Sequence, residues 1–149
     1  MRVGIISDTH GVLPDSIYSA FENVDRILHA GDIGSPSVLY ELQSIAPVAA
    51  VLGNCDYSDI SPDVGRISQP VIGGLRFKVV HKYKDLGFPD GDADVYVCGH
   101  THEPNLVVKD GKYLINPGSA SEPRGESGKS AAIVNVVDGK VFGVEFKQL

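Results

Sequence analysis

The sequence predicts a single mixed α/β domain, in which an early parallel β-sheet packs against antiparallel strands with the helices outside. Short apolar, β-branched runs alternate with amphipathic segments in the N-terminal part of the chain, which is the pattern of strand–helix–strand units. In the second half, Gly-Gly and Asp-Gly dipeptides separate pairs of strand-like runs, which is typical of hairpins. The 149 residues suffice for one hydrophobic core.

The first half is predicted to contain three strands and two helices. Buried-type runs at residues 2–7, 27–32 and 47–52 predict the strands. Apolar residues at helical spacing predict one helix opened by Pro14 and another over about residues 37–45. Because strand–helix–strand units have right-handed crossovers, we expect these three strands to be parallel.

The second half is predicted to be antiparallel and almost free of helix. Its predicted strands lie at residues 71–73, 75–80, 94–98, 106–108, 113–115, 131–137 and 141–146. Residues 119–130 form a long polar loop. No linker or repeat interrupts the chain, so residues 1–149 are taken as one domain.

Composition narrows the class of function. A formal charge of −6 disfavours stable nucleic-acid binding, since that affinity comes mainly from phosphate neutralisation. Two cysteines cannot form a disulfide scaffold, and no apolar run reaches the about 20 residues of a membrane span. The N-terminus becomes polar too early for a signal peptide, so we expect a cytoplasmic location.

Polar side chains that can hold a metal follow the ends of the predicted strands. They are Asp8, His10, Asp32, Asn54, His81, His100 and His102, and they include four of the five histidines. Ligands of open α/β sheets bind at the carboxyl ends of strands, where these residues converge. Carboxylate, imidazole and amide donors without thiolate favour manganese, iron or zinc over magnesium or calcium. Seven donors exceed the needs of one tetrahedral ion and suit two metals with a shared carboxylate.

The same residues resemble a known family. The segments at residues 8–11 (Asp-Thr-His-Gly), 31–32 (Gly-Asp), 53–56 (Gly-Asn-Cys-Asp), 99–102 (Gly-His-Thr-His) and 116–119 (Asn-Pro-Gly-Ser) resemble those of calcineurin-like metallophosphoesterases. The chain is most similar to the small bacterial and archaeal phosphodiesterases. The resemblance implies an α/β (α+β) fold, a two-sheet β-sandwich flanked by helices. It also implies hydrolysis of small phosphodiesters by metal-activated water, with phosphomonoesters as the alternative substrate class.

The resemblance further implies a ligand set. One metal would be held by Asp8, His10, Asp32 and His102, and a second by Asp32, Asn54, His81 and His100. Asp32 would bridge the two ions, and Asn54 would also face a substrate phosphate oxygen. We expect two divalent transition-metal ions, with manganese preferred and iron, nickel or zinc as alternatives.

Several further residues are candidates for the surroundings of the metals. Arg124 is either a phosphate contact or a solvated loop cation, and His29 is expected in the core or behind the ligands. Cys55 occupies a position where many larger members of the superfamily carry His. A thiol is a poorer proton donor at neutral pH than imidazole, so we expect weak protonation of the leaving group. Asp56 is expected to be able to orient an imidazole at that position.

Two departures from the family pattern concern the second metal. Lys82 follows His81 where the family usually has Gly. The segment 82–93 is also shorter than the loop and helix that members of the family typically carry there. His81 is therefore either a ligand or a strand-end residue that faces solvent.

Two non-enzymatic functions compete with hydrolysis. A eukaryotic retromer subunit has this fold and acts as a protein-interaction scaffold, and a metal-binding regulator is a third possibility. The complete set of seven donors favours the hydrolase. The expected partner is a small phosphoester, with no membrane, and a homo-oligomer is left open.

Overall fold

The computed structural model describes all 149 residues, which form ten strands, two α-helices and one 3-10 helix. The strands are β1 (Arg2–Ile6), β2 (Arg26–His29), β3 (Val48–Ala50), β4 (Val71–Ile72), β5 (Leu75–Val79), β6 (Val95–Val97), β7 (Pro104–Lys109), β8 (Lys112–Pro117), β9 (Ser130–Val137) and β10 (Lys140–Gln148). The helices are α1 (Ser16–Ala20), α2 (Pro36–Gln43) and the 3-10 turn Tyr83–Asp85.

The first sheet has the strand order β10-β9-β1-β2-β3. Its strands β1, β2 and β3 are parallel, as the alternation of strands and helices predicts. The C-terminal hairpin of β9 and β10 adds to this sheet, with β9 antiparallel to β1. The chain's last strands therefore complete the sheet that its first strands begin.

The second sheet has the order β4-β5-β6-β8-β7, and it corrects one prediction. The hairpins β4–β5 and β7–β8 are antiparallel as expected, but β6 pairs in parallel with both β5 and β8. The connection over residues 80–94 is long enough for a crossover between parallel strands. Hairpin signals identify the two strands of a hairpin but not which of them lies beside a third strand.

Apolar side chains from both sheets form a shared core, which confirms the predicted β-sandwich. Val3, Ile5 and Leu28 of the first sheet pack in one cluster with Phe77 and Val97 of the second. A second cluster lies on the outer face of the first sheet, under the two α-helices. The outer face of the second sheet is covered by the 82–94 segment instead of an α-helix.

The helices begin where local chemistry favours it. Ser35 caps α2 by accepting a hydrogen bond from Ser37 N at 3.3 Å, and Pro36 occupies the first turn. The longest helix has eight residues, so the structure contains no helix that could cross a bilayer.

The parallel strands of both sheets end at the same side of the sandwich. Loops from neighbouring strands are tied there by backbone hydrogen bonds, such as Asp8 N to Gly31 O at 3.0 Å and His10 N to Asp32 O at 2.9 Å. Gly99 N donates to His81 O at 3.0 Å in the second sheet. This edge carries the polar residues singled out by the sequence.

Candidate metal centre

All seven predicted donors lie at the carboxyl-end edge of the sandwich. They follow β1 (Asp8 and His10), β2 (Asp32), β3 (Asn54), β5 (His81) and β6 (His100 and His102). The structure thus brings together side chains that are up to 94 positions apart in the sequence, from Asp8 to His102.

The first group of donors consists of Asp8, His10 and His102. One nitrogen or oxygen atom from each lies within 4.8 Å of the others. His102 Nε2 is 3.3 Å from Asp8 Oδ1 and 3.3 Å from His10 Nε2. Asp32 Oδ2 lies 3.7 Å from His10 Nε2, so the carboxylate of Asp32 reaches the same group.

The second group of donors consists of Asp32, His81 and His100, again within 4.8 Å of one another. His81 Nε2 is 3.2 Å from Asp32 Oδ2, the same oxygen that faces His10. Asn54 Oδ1 joins the group at 3.1 Å from His100 Nδ1. Asp32 therefore stands between the two groups.

Two buried atoms of these groups have no hydrogen-bond partner in the protein. They are Asp8 Oδ1, on a fully buried residue, and His81 Nε2, on a residue only 5% exposed. A buried polar atom without a partner costs about 1–3 kcal/mol. The donor types, their spacing and these two atoms all fit a cation between them.

Hydrogen bonds to backbone carbonyls orient two of the imidazoles. His81 Nδ1 donates to Ala30 O at 2.8 Å, and His102 Nδ1 donates to Glu122 O. When such a ring is neutral, its other nitrogen, Nε2, is the unprotonated one, and in both rings it points at a carboxylate. This is the arrangement in which a histidine is prepared for a metal.

Five of the seven donors have left-handed backbone conformations. The φ angles are 54° at Asp8, 47° at His10, 56° at Asp32, 73° at His100 and 64° at His102. A residue with a Cβ pays about 1–2 kcal/mol for this conformation. Such strain concentrates at functional sites, where the surrounding structure holds it in place.

Two glycines leave the space that the carboxylates occupy. A Cβ added at Gly53 would overlap Asp32 Oδ1, and one added at Gly99 would overlap Ser7 Oγ and lie 2.6 Å from Asp8 Oδ2. The pattern of glycine followed by a donor, visible in the sequence, thus has a steric cause.

The protonation of the central groups follows from their contacts. Burial raises the pKa of Asp32, but the adjacent His81 and the hydrogen bond from Cys55 N lower it more and hold that pKa below its ordinary value. Burial lowers the pKa of His81, yet the adjacent Asp32 carboxylate and the hydrogen bond to Ala30 O raise it overall. For His100, burial and the neighbouring His81 and Lys82 charges lower the pKa.

His81 is nearly buried and in contact with Asp32, so the alternative that it faces solvent is wrong. Lys82 has φ −107° and ψ 136°, an extended backbone that requires no glycine. The lysine therefore replaces the family's usual glycine without strain and without displacing His81.

His29 lies behind the donors, as expected of a core residue. It is fully buried; its Nε2 donates to Thr9 Oγ1 at 3.1 Å and its Nδ1 accepts from Gly31 N at 3.1 Å. The Thr9 hydroxyl donates onward to Ile33 O at 2.8 Å, which fixes these roles. Burial lowers the pKa of His29 to about 4, so the ring is neutral.

Asp56 has a structural role beyond the one expected. Its carboxylate accepts hydrogen bonds from the backbone N–H groups of Ile33, Gly34 and Gly53 at 2.9, 3.0 and 2.9 Å. Asp56 therefore joins the loops of Asp32 and Asn54. Its orientation of an imidazole placed at position 55 stays a prediction.

Cys55 and Arg124 lie at the rim. Cys55 is exposed, its sulfur lies within 4.8 Å of donor atoms of His10 and Asp32, and burial and the Asp32 charge raise its pKa. Arg124 is exposed in the 118–129 loop and forms no side-chain hydrogen bond or ion pair, while its N lies 3.5 Å from His102 O. Its contact with a phosphate stays a prediction.

Two residues near the donors are not among those that the sequence predicts for the site. Glu122 accepts from His102, and its Oε2 lies 3.9 Å from His10 Nε2. Arg66 Nη1 donates to Gly53 O at 3.2 Å, next to Asn54. Neither stands at a strand end, and no local motif marks them.

Comparison with known proteins agrees with this geometry. A family model described as the calcineurin-like phosphoesterase superfamily domain matches residues 1–139. A probable metallophosphoesterase of Methanothermobacter thermautotrophicus is 37% identical over 140 residues, which cover 83% of this chain and 80% of the relative. A phosphodiesterase of Methanocaldococcus jannaschii is 32% identical over 139 residues, or 79% of this chain and 83% of the relative.

Solved structures share the fold along the full chain. An archaeal phosphodiesterase superposes with a TM-score of 0.80 at 27% identity and covers 100% of both chains. Vps29 of Entamoeba histolytica in complex with zinc superposes with a TM-score of 0.78 at 20% identity, over 100% of this chain and 98% of that one. The likeness to Vps29 shows the fold alone.

Proposed function

The chain belongs to the calcineurin-like phosphoesterase superfamily and is a metal-dependent hydrolase of phosphoesters, and from this premise we propose that it cleaves small phosphodiesters at a two-metal centre. The observation that carries the proposal is the position of Asp32. Its Oδ2 lies 3.7 Å from His10 Nε2 and 3.2 Å from His81 Nε2, between two groups of donors.

The proposed ligands divide between the two ions as the family resemblance implies. Asp8, His10 and His102 would hold the first ion, and Asn54, His81 and His100 the second, with Asp32 shared. When bound, two such cations supply Lewis-acid chemistry, namely activation of water and neutralisation of charge at phosphorus. Manganese is the proposed ion, because imidazole mixed with carboxylate and amide oxygen suits it.

The protein's own residues orient the reaction. Asn54 is exposed at the mouth, with Oδ1 facing His100, and is proposed to contact a phosphate oxygen as well. The buried Asp8 and His81 exclude water from the floor of the site. The backbone bonds of His81 and His102 keep both rings in place during turnover.

Position 55 favours substrates with good leaving groups. The exposed thiol of Cys55 stands where an imidazole acid would be useful, and its ordinary pKa of about 8.5 matches neutral pH less well than the imidazole value of about 6.5. Aryl phosphodiesters, whose leaving groups need little protonation, are therefore expected to be cleaved faster than alkyl ones.

The proposal is tested by comparing bis(p-nitrophenyl) phosphate with p-nitrophenyl phosphate on protein stripped with EDTA and reconstituted with manganese. We expect hydrolysis only after reconstitution, with the higher kcat/KM for the diester. The variant His81→Ala should lower both turnover and the bound metal measured by elemental analysis. The matched surface variant Asp110→Ala, at a hairpin turn, should change neither. Hydrolysis that survives metal removal, or a preference for the monoester, would contradict the proposal.

A further inference from the structure

A cavity of about 440 Å³ opens beside Asn54 and His81, two of the proposed ligands. Its volume lies within the range of about 300–1,000 Å³ that is usual for small-molecule pockets. The charged side chains on its wall are Arg66, Lys82, Lys84 and Asp85. The cavity is thus continuous with the metal centre and carries three cations against one carboxylate.

These three cations are not engaged by carboxylates. No ion pair of the structure includes Arg66, Lys82 or Lys84. The one side-chain hydrogen bond among them is that of Arg66 to Gly53 O, which fixes the guanidinium beside the Asn54 loop. The chain as a whole has a formal charge of −6, so the wall of this cavity is locally positive on a molecule that is negative overall.

The rest of the wall is apolar. Leu52, Ile67 and Val80 line the cavity together with the cations and the two donors. A cavity of this kind suits an organic group that connects two anionic groups, one at the metals and one at the cations.

We propose that the cavity binds a second anionic group of the substrate, so that the preferred substrates are phosphodiesters that carry a further phosphate. The proposal rests on the proposed function and specifies its substrate class. Guanidinium and ammonium groups without carboxylate partners bind phosphate oxygens through charge-assisted hydrogen bonds. Lys82, directly after His81, and Arg66, tied to Gly53, are the specificity-determining residues nearest the donors.

A matched pair of substrates tests the proposal. The first is the p-nitrophenyl ester of thymidine 5′-phosphate, and the second is the same diester with an added 3′-phosphate. On the manganese-reconstituted protein, we expect kcat/KM to be about tenfold higher for the second, as one additional anchored phosphate would give. The variants Lys82→Gln and Lys84→Gln should each reduce this ratio, and together bring it close to one. The control variant Lys140→Gln, at the opposite end of the sandwich, should keep the ratio.

A binding measurement tests the cavity even if neither diester is hydrolysed. Thymidine 3′,5′-bisphosphate is titrated into metal-free, ¹⁵N-labelled protein, and the amide shifts of residues 66, 82 and 84 are followed. We expect saturable shifts there that Lys82→Gln weakens and Lys140→Gln does not.

The outcomes separate the two proposals. Equal kcat/KM for both diesters, or a ratio that the lysine variants leave unchanged, would overturn the inference about the cavity while the proposed function stands. Cleavage of neither diester would overturn the proposed function, and the amide shifts would then decide the cavity by themselves. Absence of shifts at the three residues would overturn the inference.

Discussion

The two ends of the β-sandwich both contain backbone in the left-handed region, but with different residue types. At the hairpin end, the residues are Gly73, Gly74, Asp110, Gly111, Asp138 and Gly139. At the metal end they include Asp8, His10, Asp32, His100 and His102. The hairpin end uses the residues that two-residue turns prefer, whereas the metal end forces histidines and aspartates into that conformation.

The difference shows which forces hold each end. Asp-Gly and Gly-Gly turns adopt the required angles with little help from the rest of the chain. The metal end depends on tertiary contacts, such as His10 N to Asp32 O and the three backbone bonds to Asp56. Strain that a fold maintains at such cost is expected where the side chains have a chemical task.

The largest expected effect is a loss of activity when an aspartate is substituted at the metal end but not at the hairpin end. Asp32→Asn keeps the size of the side chain but removes the charge shared by the two donor groups, so kcat/KM for a phosphodiester should fall on the order of a thousandfold. Asp110→Asn is the matched control, because Asp110 has φ 53° where Asp32 has 56°. Its activity should equal that of the wild type. Similar losses in both variants would show that left-handed aspartates matter for folding alone.

A second prediction uses pH. The ring of His29 is neutral in the folded protein because burial lowers its pKa from 6.5 to about 4. Between these values the unfolded chain binds a proton that the folded chain does not, so the stability from His29 is complete above pH 6.5 and is lost as the pH falls to about 4. The loss amounts to about 3 kcal/mol.

Urea unfolding of the metal-free protein at several pH values measures this loss. In His29→Asn the amide oxygen can still accept from Gly31 N. Between pH 6.5 and about 4, the free energy of unfolding of this variant should fall by about 3 kcal/mol less than that of the wild type. The comparison of slopes removes the contributions of other histidines. Equal slopes in the two proteins would show that His29 does not control the acid sensitivity of this end.

A third prediction compares glycines. Gly99→Ala places a Cβ against Ser7 Oγ and Asp8 Oδ2 and should lower the free energy of unfolding by about 2 kcal/mol. Gly143→Ala, in β10, meets no atom within 4 Å and should change it by less than about 0.5 kcal/mol. Thermal or urea unfolding measures both. Comparable changes would mean that the carboxylate of Asp8 is less tightly packed than the structure shows.

The smallest expected effect is a change in the free energy of unfolding that has opposite signs at the two ends of the sandwich. His100→Gly relieves a left-handed residue at φ 73° and should stabilise the metal-free protein by about 0.5–1 kcal/mol while turnover falls. Asp138→Ala, at φ 51° in a hairpin, should destabilise it by about 1 kcal/mol with turnover unchanged. A loss of stability in His100→Gly would show that its backbone is not strained.

Much of the fold could be predicted because its signals are local. Dipeptides such as Asp110-Gly111 mark hairpins within a few residues, and strand–helix alternation implies parallel pairing. The parallel pairing of β6 with β5 and β8 could not be predicted, because neighbour choice in a sheet depends on contacts between distant segments. The antiparallel second half was therefore only partly right.

The candidate site also contains residues that the sequence could predict and residues that it could not. The seven predicted donors stand at strand ends, so the topology of an α/β sheet brings their side chains together, while their binding of metal stays a prediction. Arg66 donates to a backbone carbonyl of another loop, and Glu122 accepts from the His102 ring through its own carbonyl oxygen. Both contacts are long-range, and no local sequence pattern indicates them. The role of Asp56 was missed for the same reason, since its three partners are backbone N–H groups.

The most direct test of the two-metal proposal is anomalous diffraction from crystals saturated with manganese. The account predicts two peaks per chain, about 3.5–4 Å apart, with Asp32 in contact with both. One peak should lie among Asp8, His10 and His102, and the other among Asn54, His81 and His100. A single peak at saturation, or peaks away from Asp32, would contradict the account.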